Sequence, residues 1–77
     1  MAKTAKYYQR TFAGQKKIFD MVKDSLREGE HFFDHANDMF ERYHRKHGTT
    51  CFYLRMDMAR MIMKRYYPEW AKENHYI

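Results

Sequence analysis

The sequence predicts an all-α fold: a compact bundle of three helices with a short C-terminal helical turn or tail, in a single domain over residues 1–77. Three observations predict it. Apolar residues recur at alternating spacings of three and four over three separate stretches, the period of one helix face. Gly29, Gly48 and Pro68 punctuate those stretches. No run of alternating β-branched residues, the mark of a half-buried strand, occurs in the sequence.

In the first stretch Ala5, Tyr8, Phe12, Gln15, Phe19, Val22 and Leu26 share one stripe, while Lys6, Arg10, Ala13, Lys17, Asp20, Asp24 and Arg27 lie opposite. Thr4 is the expected N-cap, its hydroxyl taking a free backbone N–H, and Gly29 the expected left-handed C′ residue. Gly14 lies inside the span and weakens it by up to about 1 kcal/mol relative to Ala, so a break or kink is expected near it if anywhere. Ser25-Leu26-Arg27-Glu28 has the form of a capping box and competes as an early start for the second helix.

The second helix places Phe32, Phe33, Ala36, Met39, Phe40 and Tyr43 on one face, with Asp34, Asp38, Glu41 and Arg45 on the other, and stops at Gly48. Thr49 or Thr50 caps the third, in which Cys51, Leu54, Met58, Met61, Ile62 and Arg65 share a face opposite Tyr53, Asp57, Arg60 and Lys64. Pro68 sets a boundary near Tyr67, because its ring disfavours helical geometry in the residue before it. Residues 68–72 then form a short turn with Pro at its first position, folding Trp70 back on the bundle.

Residue types predict a thin core. Three Ile, two Leu and one Val stand against seven Met, six Phe and seven Tyr, so ring and thioether contacts must fill the interior. A lone cysteine, Cys51, excludes an intramolecular disulfide and a multi-thiolate zinc site and suits a reducing compartment. No apolar run serves as a secretory signal or a membrane span, so a cytoplasmic protein without membrane partners is expected. Charge is uneven. Residues 1–19 hold five bases and no acid, residues 20–41 seven acids against two bases, and residues 42–65 seven bases against Asp57.

Catalysis is not expected. Cys51 stands at the start of the third helix with His47 four residues before it, the elements of an activated thiol, yet it shares the apolar stripe of Leu54 and Met58 and reads as a small core residue. Three isolated glycines make no phosphate loop. A chain of this size has little room for a substrate pocket. His31 and His35 are one helical turn apart among Asp34 and Asp38, and His44 and His47 stand near a helix end; both pairs read as solvated partners of acids and of the helix dipole rather than as metal ligands. No cofactor and no metal are expected.

Binding is expected instead. Tyr7, Tyr53, Tyr66, Tyr67, Tyr76, Trp70, Met56 and Met63 exceed what three short helices can enclose, and Tyr, Trp, Met and Arg are the types enriched at interfaces. The sequence therefore favours an adaptor or inhibitor that docks an aromatic and basic surface onto a larger macromolecule, foremost a protein with an acidic patch. Arg60 and Lys64 would steer, while Tyr53, Tyr67 and Trp70 would anchor. An accessory protein of a virus or mobile element fits this size, and self-association uses the same surplus. The alternative is a helix-turn-helix DNA-binding regulator, with the helix over residues 50–67 as the recognition helix.

Overall fold

Among residues 5–48 and 53–77, which the computed structural model describes, the chain forms five helices and no strand. They are α1 (Ala5–Arg10), α2 (Phe12–Ser25), α3 (Phe32–His47), α4 (Met56–Tyr66) and α5 (Pro68–Glu73). Thr4, Thr49, Thr50 and Cys51, with the side chains of Ala5, Lys6 and His47, lie outside the described residues. None of the helices in the described residues is long and apolar enough to cross a membrane.

The first expected helix is two helices, and Thr11 is the reason. Its backbone leaves helical geometry at φ −101° and ψ 149°, while its hydroxyl accepts the Gly14 N–H at 3.0 Å and so caps α2. The same hydroxyl donates to the Tyr7 carbonyl at 2.7 Å, satisfying a C-terminal acceptor of α1. Gly14 does not make the break. It lets α1 and α2 meet: a Cβ built there would lie 2.3 Å from the Tyr7 carbonyl oxygen.

The capping box at Ser25 does not form either, because Ser25 ends α2 and its hydroxyl lies 3.1 Å from the Val22 carbonyl. Gly29, at φ 86°, turns the connection between α2 and α3 instead of standing directly at the C′ position of α2. Gly48 ends α3 as expected, left-handed at φ 65° with its N–H on the His44 carbonyl.

The third expected helix starts later than residue 50, at Met56, and buries a different stripe. Gln15 causes the late start. Its side chain is wholly enclosed in α2, where Nε2 donates to the Tyr53 carbonyl at 2.8 Å and Oε1 accepts the Arg55 N–H at 2.7 Å. Residues 53–55 are thereby held out of helical geometry. From Met56 on, Ala59, Ile62 and Met63 face the core, while Met61 is 48% exposed and Arg65 is exposed. Met63, counted from sequence among the surplus, is fully buried.

Pro68 opens α5, the predicted short turn, and a Schellman arrangement closes it: His75 is left-handed at φ 62°, its N–H on the Lys72 carbonyl and the Tyr76 N–H on the Ala71 carbonyl. That reversal returns Tyr76 to α3. Its hydroxyl accepts the Phe32 N–H at 2.7 Å, filling the first turn of a helix whose N-cap residue, His31, makes no side-chain cap.

Helix α2 is the centre of the packing, in contact with α1, α3 and α4, while α5 leans on α4. The core gathers Ile18, Phe19 and Val22 of α2, Phe32, Ala36 and Phe40 of α3, the α4 stripe, and Ala71. Aromatic packing carries much of it, as the composition predicts: Phe19 meets Phe32 at 4.7 Å between centroids, and Trp70 sets its edge against both.

Candidate functional site

Along α2, Phe12, Lys16, Asp20 and Lys23 recur every three or four residues and line up on one side, facing the corner where α4 passes into α5. The corner presents Arg65, Tyr66, Tyr67 and Trp70. Cations and rings interleave. The Arg65 guanidinium lies 5.5 Å from the Phe12 ring, and Lys16 Nζ stands 4.7 Å from the Tyr66 centroid and 5.3 Å from that of Tyr67. Lys23 Nζ lies 4.7 Å from Tyr67 and 5.2 Å from Trp70. Each such contact contributes about 0.5–1 kcal/mol at an exposed site, so the strip is ordered before anything binds it.

Tyr67 joins the strip to the core. Its ring stacks on Phe19 at 5.6 Å and 7°, and its hydroxyl donates to Asp20 Oδ1 at 2.6 Å and accepts from Lys16 at 3.2 Å. Lys16 also pairs with Asp20 Oδ2 at 2.6 Å. The hydrogen bond to Asp20, and then burial, raise the Tyr67 phenol above its usual value; the bond to Asp20 likewise raises Lys16.

Both shifts favour the protonated form in the folded state. Their stabilisation is therefore complete below the unfolded values near pH 10 and is lost as pH climbs through the raised folded values. Unfolding by urea should show wild type more stable than Tyr67→Phe at pH 7, with the gap closing above about pH 10. A gap that stays constant into strong alkali would remove this network from the stability of the fold.

The residues expected from sequence to bind a partner are not all together. Tyr67 and Trp70 belong to the strip but are half-buried and engaged with α2. Arg60 and Lys64 are exposed one turn apart on the outward side of α4, with Asp57. Tyr53 is 47% exposed and turned the other way, its ring 5.1 Å from His44 and 6.4 Å from Phe40. Tyr66, 48% exposed, is the open ring of the strip. The sequence counts Tyr66 among the surplus rings but not among the anchors, and Lys16, Lys23, Arg65 and Phe12 were not picked out as binding residues, although the spacing of Lys16, Asp20 and Lys23 at i, i+4 and i+7 marks one helix side.

The helix-turn-helix outline also changes. The recognition helix expected over residues 50–67 begins at Met56, with residues 53–55 outside helical geometry, while the turn residues Thr49 and Thr50 lie outside the described residues. The His31 and His35 rings do not converge. His31 sets its ring against Tyr76, His35 turns to Ser25 and Glu30, and among the described residues no group of three or more His, Cys, Asp and Glu is placed to hold a metal. No protein-family model, no curated protein and no solved structure matches the chain.

Proposed function

We propose that this chain is a small helical adaptor or inhibitor, docking the strip from Phe12 to Trp70 onto an acidic protein surface. One observation carries the reading: Tyr66 is half open to solvent, between the Lys16 ammonium and the Phe12 ring, with Arg65 over Phe12. An aromatic face already flanked by ordered cations suits a carboxylate-bearing partner, since little side-chain freedom is left to lose on binding. Arg60 and Lys64, on the next faces of α4, steer the encounter. In this reading α2, α3 and α4 act as a three-helix body that α5 closes, working in a reducing cytoplasm.

The test is fluorescence anisotropy with a labelled acidic peptide and, separately, a duplex DNA of random sequence. Tyr66→Ala and Arg65→Ala should each weaken peptide binding by about tenfold, which is about 1.4 kcal/mol, with helical circular dichroism unchanged. DNA bound more tightly than peptide, with affinity falling steeply against log salt, would transfer the reading to nucleic acid. Self-association detected by ultracentrifugation, abolished by Tyr66→Ala, would transfer it to a second copy. Peptide binding indifferent to both substitutions ends it.

A further inference from the structure

Away from the docking strip, the end of α2 meets the first turns of α3 in a cluster of three functional side chains. Ser25 Oγ lies 2.8 Å from His35 Nε2, and His35 Nδ1 lies 3.6 Å from Glu30 Oε2. Glu30 is held in place, because its Oε1 accepts the Arg27 N–H at 2.8 Å. The carboxylate is too far for a hydrogen bond, yet its charge faces Nδ1, the nitrogen that carries the proton in one of the two tautomers of the ring. That tautomer leaves Nε2 as an acceptor aimed at the serine hydroxyl, and the His35 contact is shorter than the 3.1 Å alternative to the Val22 carbonyl.

One depression holds this cluster and a second adjoins it through Met39. The first, of about 320 Å³, is lined by Ser25, His35 and Glu30 together with Arg27, Asp38, Met39 and Arg42, with Asp38 and Arg42 paired as a salt bridge. The other, of about 230 Å³, lies between α2 and α3 and is walled by Ile18, Met21, Met39, Phe40 and Tyr43. Met39 belongs to both, and its sulfur is 3.3 Å from Ser25 Oγ. The serine thus stands beside Met39, the residue that the apolar groove shares with a pocket holding Arg27 and the Arg42–Asp38 pair.

We propose that Ser25, His35 and Glu30 form an acyl-transfer site that hydrolyses carboxylic esters with a short apolar acyl chain. The acyl chain lies along Met39 in the groove. Ser25 Oγ bonds to the ester carbonyl carbon as its proton passes to His35 Nε2, and the carbonyl oxygen takes the negative charge toward Arg27. On collapse the bond from carbon to the alcohol oxygen breaks, and His35 returns the proton to the leaving alcohol. Water then attacks the acyl-serine carbonyl carbon, giving a proton to His35; the bond from that carbon to Ser25 Oγ breaks as His35 returns the proton to Oγ, and the carboxylic acid leaves. Ser25 and His35 are the catalytic residues, and Glu30 is a positioning residue that keeps the productive tautomer.

A fluorophosphonate probe tests the nucleophile, because an unactivated serine does not react with it. Intact mass should show one adduct and peptide mapping should place it on Ser25. Labelling should disappear in Ser25→Ala and slow by about 100-fold in His35→Gln, the low end of what a positioned base contributes. If His35→Gln loses its helical signal, Glu30 still decides: Glu30→Gln slows labelling and Glu30→Asp restores part of the rate. For the groove, p-nitrophenyl butyrate should turn over about tenfold faster than the acetate, from two further buried methylenes. No adduct on Ser25, or one whose rate ignores both His35→Gln and Glu30→Gln, overturns the site; equal turnover of the two esters overturns the placement of the acyl chain.

Discussion

Gly14→Ala should lower the melting temperature by about 10–20 °C, the equivalent of about 2–3 kcal/mol in a domain of this size. Two effects of opposite sign compete at this position, and their magnitudes decide the outcome. Gly14 lies inside the α2 helix, where Ala is intrinsically better by about 1 kcal/mol. The added methyl would, however, lie 2.3 Å from the Tyr7 carbonyl oxygen and 2.6 Å from the Tyr8 Cα, both backbone atoms that no rotamer change can move aside. Overpacking of this kind costs about 1–3 kcal/mol and more where the backbone must give. Helix α1 would then swing away from α2, weakening the bond from Gln15 to the Tyr8 carbonyl and exposing Tyr8 and Phe12. Thermal unfolding by circular dichroism checks the sign, and amide exchange in α1 checks the cause. A melting temperature at or above that of wild type would mean that α1 does not press on Gly14.

That competition shows where sequence alone stops. Read as a helix propensity, Gly14 is a weak point in one long helix; its close approach to Tyr7 depends on α1 folding back, which no local signal announces. Thr11 was legible as a residue type that caps, but it fell in the middle of an unbroken three-and-four periodicity, and the periodicity prevailed. The periodic stripes did identify most of the interior: Phe19, Val22, Phe32, Ala36, Phe40 and Ile62 are buried where the pattern put them. In α4 the pattern failed by a rotation. Met58, Met61 and Arg65 satisfy helical spacing as well as Ala59 and Met63 do, and only the point where the helix begins selects between the two stripes.

The surplus of rings was half legible. Tyr53, Tyr66 and Met56 remain exposed, yet Tyr76 and Tyr67 have internal hydrogen-bond partners distant in sequence, at Phe32 and Asp20. The Ser25, His35 and Glu30 cluster was invisible for the same reason. Its members sit on a helix end, a turn and a helix face, and only the angle between α2 and α3 brings them together.

Gln15→Leu should be the more damaging of the two core substitutions, costing about 3–6 kcal/mol if each of three orphaned backbone groups loses about 1–2 kcal/mol. The volume is similar and the site is fully enclosed, so a purely hydrophobic account would predict a gain. The hydrogen bonds reverse that expectation. Both Nε2 protons are used, on the carbonyls of Tyr8 and Tyr53, and Oε1 takes the Arg55 N–H, so one amide fastens α1 and the entry to α4 onto α2. Leucine supplies none of the three. Gln15→Glu separates this network from packing, because its carboxylate could accept from Arg55 but could not donate to either carbonyl. Burial beside two carbonyls disfavours the charged form, so the introduced carboxyl should titrate above the usual range. Stability of Gln15→Glu should therefore recover as pH falls and the group takes up a proton. Urea titrations of both variants between pH 4 and 7 measure this, and a Gln15→Leu midpoint equal to wild type would show that residues 53–55 are held in place by something other than this side chain.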